Sequence, residues 1–239
     1  LPLKEAIARL PKDLRAVVIL RYFTGLTLGK TLDGDTAIYV DELISSSSAA
    51  TDIVVLDGFN MEVVTAAETG DDEEEEAADS LYDQTVRPAE LTCHGDGIID
   101  IPISTLMPGY SSSDEDENIY RIDYQNLHDG ELLPAYSVVS NREMGYIFLM
   151  PDSWVDNVTV RRVTETNEWQ FVVYNGDLNP SGTVLLTIKV SSHQDYQDKF
   201  STDVYFTLAT KGIFEYTASI PTTDHELSIT ESEVRSRFL

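Results

Sequence analysis

The sequence predicts a mainly β protein of the α+β class, on three observations. Short β-branched and aromatic runs recur from Ala37 onward, separated by Ser, Asn and Asp-Gly turn signals. Apolar residues at helical spacing are concentrated in the first thirty positions and return only briefly later. A chain of 239 residues that is 42% hydrophobic can bury a real core, and one or two globular domains account for its length.

Taken in order, Leu3, Ile7 and Leu10, then Leu14, Val17 and Val18, predict a short N-terminal helical hairpin. Pro11 stands in the first turn of the second helix, and Gly25 ends it. Strands are expected at Ala37–Ile44, Thr51–Leu56 and Asn60–Thr65, forming an antiparallel meander. The block Asp71–Glu76, with Glu68 and Asp79 beside it, repels itself too strongly to pack and predicts a solvated loop. After a second acidic turn over Ser111–Asn118, residues Ile119–Tyr124 alternate as a half-buried strand does. His128-Asp129-Gly130 then turns the chain into a strand over Leu132–Val139.

The last hundred residues predict a separate antiparallel sheet. Its strands are expected at Gly145–Met150, Val158–Val163, Glu168–Tyr174, Thr183–Val190, Val204–Thr210 and Gly212–Ser219, with a short helix over His193–Phe200. Three segments follow: a helical segment at 1–30, a β-meander segment at 31–143 with its acidic loop at 68–79, and a β-sheet domain at 144–239.

Charge divides the chain unevenly. The first thirty residues hold six Lys/Arg against two acids, whereas residues 31–239 hold ten against forty, a net −30. A body of that charge repels nucleic acid and anionic membrane, since a binder of either must neutralise negative charge with Lys and Arg. Cations and neutral or basic ligands fit it better. Cys93 is the single cysteine, so there is no internal disulfide framework. No apolar run approaches the eighteen or so residues of a membrane span. Opening on Leu1 and closing at Phe238-Leu239 in a helical pattern, the sequence reads as a piece of a longer protein, so the lack of a leader carries no information on destination.

Residues 91–102, Leu-Thr-Cys-His-Gly-Asp-Gly-Ile-Ile-Asp-Ile-Pro, form the densest candidate site. A calcium loop needs oxygen ligands on alternate side chains, a Gly at positive φ and a late carboxylate. Asp96, Gly97 and Asp100 supply part of this, and Asp96 and Asp100 are the candidate ligands for Ca2+. Thr92 and His94 occupy positions where a full loop carries Asp and Asn. The simpler reading is a tight turn in which Asp96 binds nearby backbone amides.

Two resemblances add to these readings. The run Ala6–Gly29 resembles the start of region four of bacterial sigma factors, especially the extracytoplasmic-function type. That resemblance implies a helix-turn-helix that reads promoter DNA. Beyond Gly29 the sequence becomes strand-like and acidic, with no basic helix, so no DNA-contacting residue carries over. The meander, Val86-Arg-Pro88 and Gly95-Asp-Gly-Ile-Ile-Asp-Ile-Pro102 are similar to the repeat unit of FG-GAP or VCBS-type proteins, particularly lipoproteins of Firmicutes. The usual form there is Asp-Ile-Asn-Gly-Asp-Gly-x-x-Glu/Asp-Ile-Pro. Gly95, Asp96, Gly97, Asp100, Ile101 and Pro102 match it, while Thr92 and His94 depart. The resemblance implies propeller-like blades on a secreted, lipid-anchored, cell-surface protein. From Phe148-Leu-Met-Pro-Asp-Ser-Trp154 to Ile220-Pro221, the strand order is similar to PsbP-like domains.

No nucleophile elbow, phosphate-binding Gly loop or paired-His motif stands in the sequence. His94, His128, His193 and His225 lie in separate loops. Trp154, Trp169, Tyr146 and Tyr174 could form a carbohydrate or peptide platform, but on strands they read first as core. The sequence therefore predicts a non-catalytic extracellular module that binds or scaffolds an unknown surface ligand. The alternative is a cytoplasmic, sigma-related transcription protein, based on residues 6–29. A third class, a hydrolase using carboxylates that only the fold would pair, turns on distances in space.

Overall fold

A computed structural model describes residues 26–43, 49–57, 60–64, 83–84, 96–111, 118–178, 182–192 and 205–239. Among these residues it is mainly β, with three antiparallel sheets and one short α-helix. The chain divides into two compact units, Leu1–Ile103 with Tyr124–Ala135, and Ser104–Asp123 with Tyr136–Leu239. The expected N-terminal helices, the acidic block at 68–79 and the expected helix at His193–Phe200 lie outside the described residues.

The first unit holds the expected meander and extends it at its start. Strands β1 (Leu26–Lys30), β2 (Thr36–Leu43), β3 (Ala49–Asp57) and β4 (Asn60–Val64) pair in sequence order, and β5 (Asp83–Gln84) pairs with β3. The helical segment bounded at residue 30 thus gives its last five residues to a strand. Between β1 and β2 the chain reverses over residues 31–35. Thr31 anchors this turn by donating its N–H to Asp35 O and accepting the Asp35 N–H on Oγ1.

Inward-facing residues of this meander and of the later segments packed on it build a small core. Ala37, Tyr39, Ile53, Ile99, Ile101 and Leu127 are buried together. Tyr39 stands opposite Ile53 in the β2–β3 register. Burial pushes the Tyr39 phenol up to about 12. Lys30 at the end of β1 bonds on both sides to the segment after Asp96: its N–H donates to Gly97 O at 2.7 Å, and its carbonyl accepts the Ile99 N–H at 3.1 Å. This bridge seats Ile99 directly over Gly29. A Cβ on Gly29 would stand 2.2 Å from Ile99 Cγ1, so only glycine permits the approach.

A four-stranded sheet follows, in the order β6 (Ile101–Leu106), β7 (Tyr120–His128), β8 (Glu131–Asn141) and β9 (Tyr146–Leu149). β7 runs four residues beyond the expected strand, as far as the His128-Asp129-Gly130 turn. Asp129 and Gly130 both take positive φ there, as a tight two-residue hairpin turn requires. β9 pairs with β8 in a hairpin rather than joining the later sheet, with Asn141 opposite Tyr146.

In the second unit, β10 (Val158–Val163), β11 (Glu168–Val173), β12 (Val184–Ser192), β13 (Phe206–Lys211) and β14 (Phe214–Ser219) form an antiparallel sheet in the order β10-β11-β12-β14-β13. Its core gathers Phe148, Trp154 and Phe171, whose ring centroids lie 5.0 to 6.0 Å apart, with Leu186, Ile188 and Val190 of β12. Trp154 Nε1 donates to Leu227 O at 2.8 Å, which satisfies the indole while its ring stays buried. Helix α1 (Glu231–Arg237) starts from a capping box: Thr230 Oγ1 accepts the Glu233 N–H, and Glu233 accepts the Thr230 N–H.

Two consequences are measurable. Gly29→Ala forces a methyl into the side chain of a buried Ile99, so stability should fall by about 1 to 3 kcal/mol in denaturant unfolding. Tyr39 holds its proton more tightly folded than unfolded. Its contribution to stability is complete below about pH 10 and lost as pH rises toward 12. Melting temperature should therefore drop over that alkaline window, and Tyr39→Phe should flatten the drop.

Candidate metal centre

Asp96 and Asp100, the candidate ligands read from sequence, take different roles. Asp96 Oδ1 accepts the Ile98 N–H at 2.9 Å, an Asx turn closed by Gly97 at φ 86°. Asp100 is buried, and its Oδ1 accepts from Asn126 Nδ2 at 2.8 Å. The same Asn126 amide donates to Ile99 O at 3.0 Å, pinning the start of β6 to β7. Cys93, His94 and Gly95 lie outside the described residues.

The first unit brings together a different set. Asp33 in the β1–β2 turn, His128 at the end of β7 and Asp129 in the β7–β8 turn converge, with one ligand atom from each lying within 4.8 Å of the others. The backbone makes this meeting. Leu32 donates its N–H to Leu127 O at 2.9 Å, and Asp33 Oδ2 accepts the Asp129 N–H at 2.9 Å. Asp33 Oδ1 then stands 2.7 Å from His128 Nδ1, and Asp129 Oδ2 stands 3.8 Å from Nε2.

This approach to Nδ1 is close but badly aimed. The atom is shielded from water, and although a carboxylate oxygen is within reach, the contact does not meet hydrogen-bond geometry. A cation beside the two atoms, off the 2.7 Å line that joins them, would satisfy both. One imidazole and two carboxylates are a mixed nitrogen and oxygen donor set, which suits first-row divalent ions such as Zn2+ or Mn2+. Calcium prefers six to eight oxygens. The sequence shows Asp33-Gly34 and Asp129-Gly130 as two turn signals, and nothing in their spacing joins them.

In the second unit, Arg121 and Asp123 are consumed by structure. Arg121 is buried on β7, with Nε on Asp123 at 2.7 Å and Nη1 on Asp156 at 2.8 Å. Asp123 also accepts from Thr105 Oγ1 at 2.8 Å and from Ser137 Oγ. Burial opposes the Arg121 charge, but its bonds to Asp123 and Asp156 prevail and raise its pKa. Trp154, Trp169 and Tyr146 lie in the core, and Tyr174 is half-buried. His225 Nδ1 accepts the Leu227 N–H at 3.1 Å and shapes a loop.

Among the described residues no helix is long and apolar enough to cross a membrane. No family model, curated protein or solved structure matches this chain.

Arg121→Gln removes the charge that Asp123 is built around and leaves a largely buried carboxylate uncompensated. The loss should be about 3 to 5 kcal/mol by denaturant unfolding, well above the cost of a surface ion pair.

Proposed function

We propose that this chain is a non-catalytic binding or scaffolding module acting outside the cell, and that it takes a divalent cation at Asp33, His128 and Asp129. The convergence of these three side chains carries the reading. Two hairpin turns distant in sequence are tied by main-chain and carboxylate bonds so that an imidazole and two carboxylates face one another. A strongly acidic body favours cations over anionic partners, which supports the same reading.

An extracellular, lipid-anchored setting with a propeller-like blade over residues 31–143 is supported by the resemblance of Gly95–Pro102 to the FG-GAP and VCBS repeat loop. Asp96 and Asp100 remain candidate ligands of that loop for Ca2+. On this reading the cation ties turns together and stiffens a surface meant for a partner.

The test is thermal unfolding of the full chain against Mn2+, Zn2+ and Ca2+ in separate titrations. A cation that binds only the folded state stabilises it by about 2.7 kcal/mol at a hundredfold excess over its Kd. Mn2+ or Zn2+ should raise the melting temperature of the parent chain and of Asp96→Ala. His128→Gln and Asp33→Asn should abolish the rise. A Ca2+ effect lost in both Asp96→Ala and Asp100→Ala would move the site to the 96–100 loop. No shift with any of the three ions at millimolar concentration would overturn cation binding.

A further inference from the structure

The second unit contains a cleft of about 280 Å³ between the β8–β9 turn and the β10–β11 turn, with Asn141 and Trp169 as its buried walls. Both turns are held firmly. Asn141 Oδ1 accepts the Met144 N–H at 3.0 Å, and Met144 O accepts from Tyr216 Oη at 2.8 Å. Asn167 takes a left-handed φ of 53°, and its carbonyl accepts the Val190 N–H at 3.3 Å. The walls are thus preformed, a condition for binding small ligands without an ordering cost.

Arg162 stands opposite Trp169 across β10 and β11, its guanidinium 5.8 Å from the ring centroid. In a chain with 42 acids and 16 bases, an arginine should find a carboxylate easily. Arg121, Lys189 and Arg235 each do so. Among the described residues Arg162 has no carboxylate partner and stays exposed at the cleft. Glu168, which also lines the cleft, is taken by Lys189 at 3.2 Å. Glu143 on the opposite turn is exposed and has no cationic partner among the described residues. The cleft therefore offers one available cation and one available anion.

We propose that this cleft binds a small zwitterion of the amino-acid type, its carboxylate on Arg162 and its ammonium group on Glu143. A guanidinium takes a carboxylate through two parallel N–H donors, which fixes the ligand's orientation. A simple anion would meet the net charge of −26 without compensation, whereas a zwitterion meets no net electrostatic opposition. The cleft volume lies at the lower end of ligand sites, so the ligand is small. This site is separate in sequence and chemistry from the cation set of the first unit, and each reading can fail alone.

The experiment is calorimetric titration of the full chain with L-leucine, L-glutamine and L-lysine, each also as its Nα-acetyl and α-amide derivative, with tryptophan fluorescence as a second readout. At least one free amino acid should bind with a Kd below about 1 mM, and each derivative of it should bind at least tenfold more weakly. Arg162→Gln should weaken the free amino acid at least about tenfold with an unchanged melting temperature, since Arg162 is exposed. Glu143→Gln should weaken the free amino acid and leave the acetylated one unchanged. The proposal is overturned if none of the three binds at about 10 mM, if the acetyl derivative binds equally well, or if Arg162→Gln has no effect.

Discussion

Lys189 carries a positive charge into the middle of a sheet, and the arrangement of the second unit depends on how that charge is met. Its side chain is 10% exposed, and its ammonium lies 3.2 Å from Glu168, itself 12% exposed. The two residues are also direct cross-strand partners on β11 and β12. A register slip of one residue would carry Lys189 to the face occupied by Leu186, Ile188 and Val190, at the cost of an unpaired buried charge. The ion pair thus specifies register more than it adds stability. Register then sets Trp169 against Ile188 on one side and Arg162 on the other. The cleft between the turns is a downstream result of where Lys189 can go.

Most hairpins were legible because turn chemistry is local. His128-Asp129-Gly130 and Lys211-Gly212 carry the residues that positive φ requires, and the strands flanking them fall where alternation places them. The strand β1 was not legible, because Leu26-Thr27-Leu28-Gly29 after the helix-ending Gly25 is too short a run to announce a strand, and its pairing with β2 is what makes it one. β9 was assigned to the later sheet for a similar reason. A strand's pattern shows which face is buried, while its partner is chosen by the turn at Asn141–Gly145. Nor does a lysine in a strand announce burial. Lys189 reads as solvent-facing until Glu168 is seen opposite.

The candidate sites divide in the same way. The Asp96 turn was legible because an Asx bond spans two residues. The convergence of Asp33 with His128 and Asp129 was not, because the bond from Asp129 to Asp33 spans 96 positions. Short acidic turns are common and usually belong to the backbone, and spacing within one loop does not reveal a pair of turns that meet. The aromatic residues show the converse. Tyr146 and Trp169 were readable as core because large aromatics on strands usually pack inward, and both pack against each other there.

Surplus negative charge gives these observations a common logic. Where acids outnumber bases by 26, an internal cation is scarce, and the two buried bases among the described residues, Arg121 and Lys189, meet carboxylates that burial would otherwise strand. Asp123 receives Arg121 and Glu168 receives Lys189 for this reason. Among the described residues, Asp33 and Asp129 face an imidazole and no lysine or arginine. Arg162 is the inverse case, a cation held over an indole instead of a carboxylate. The aromatic face holds the guanidinium in place without cancelling its charge. A carboxylate-bearing ligand can therefore still claim its donors, whereas an internal ion pair would already have occupied them.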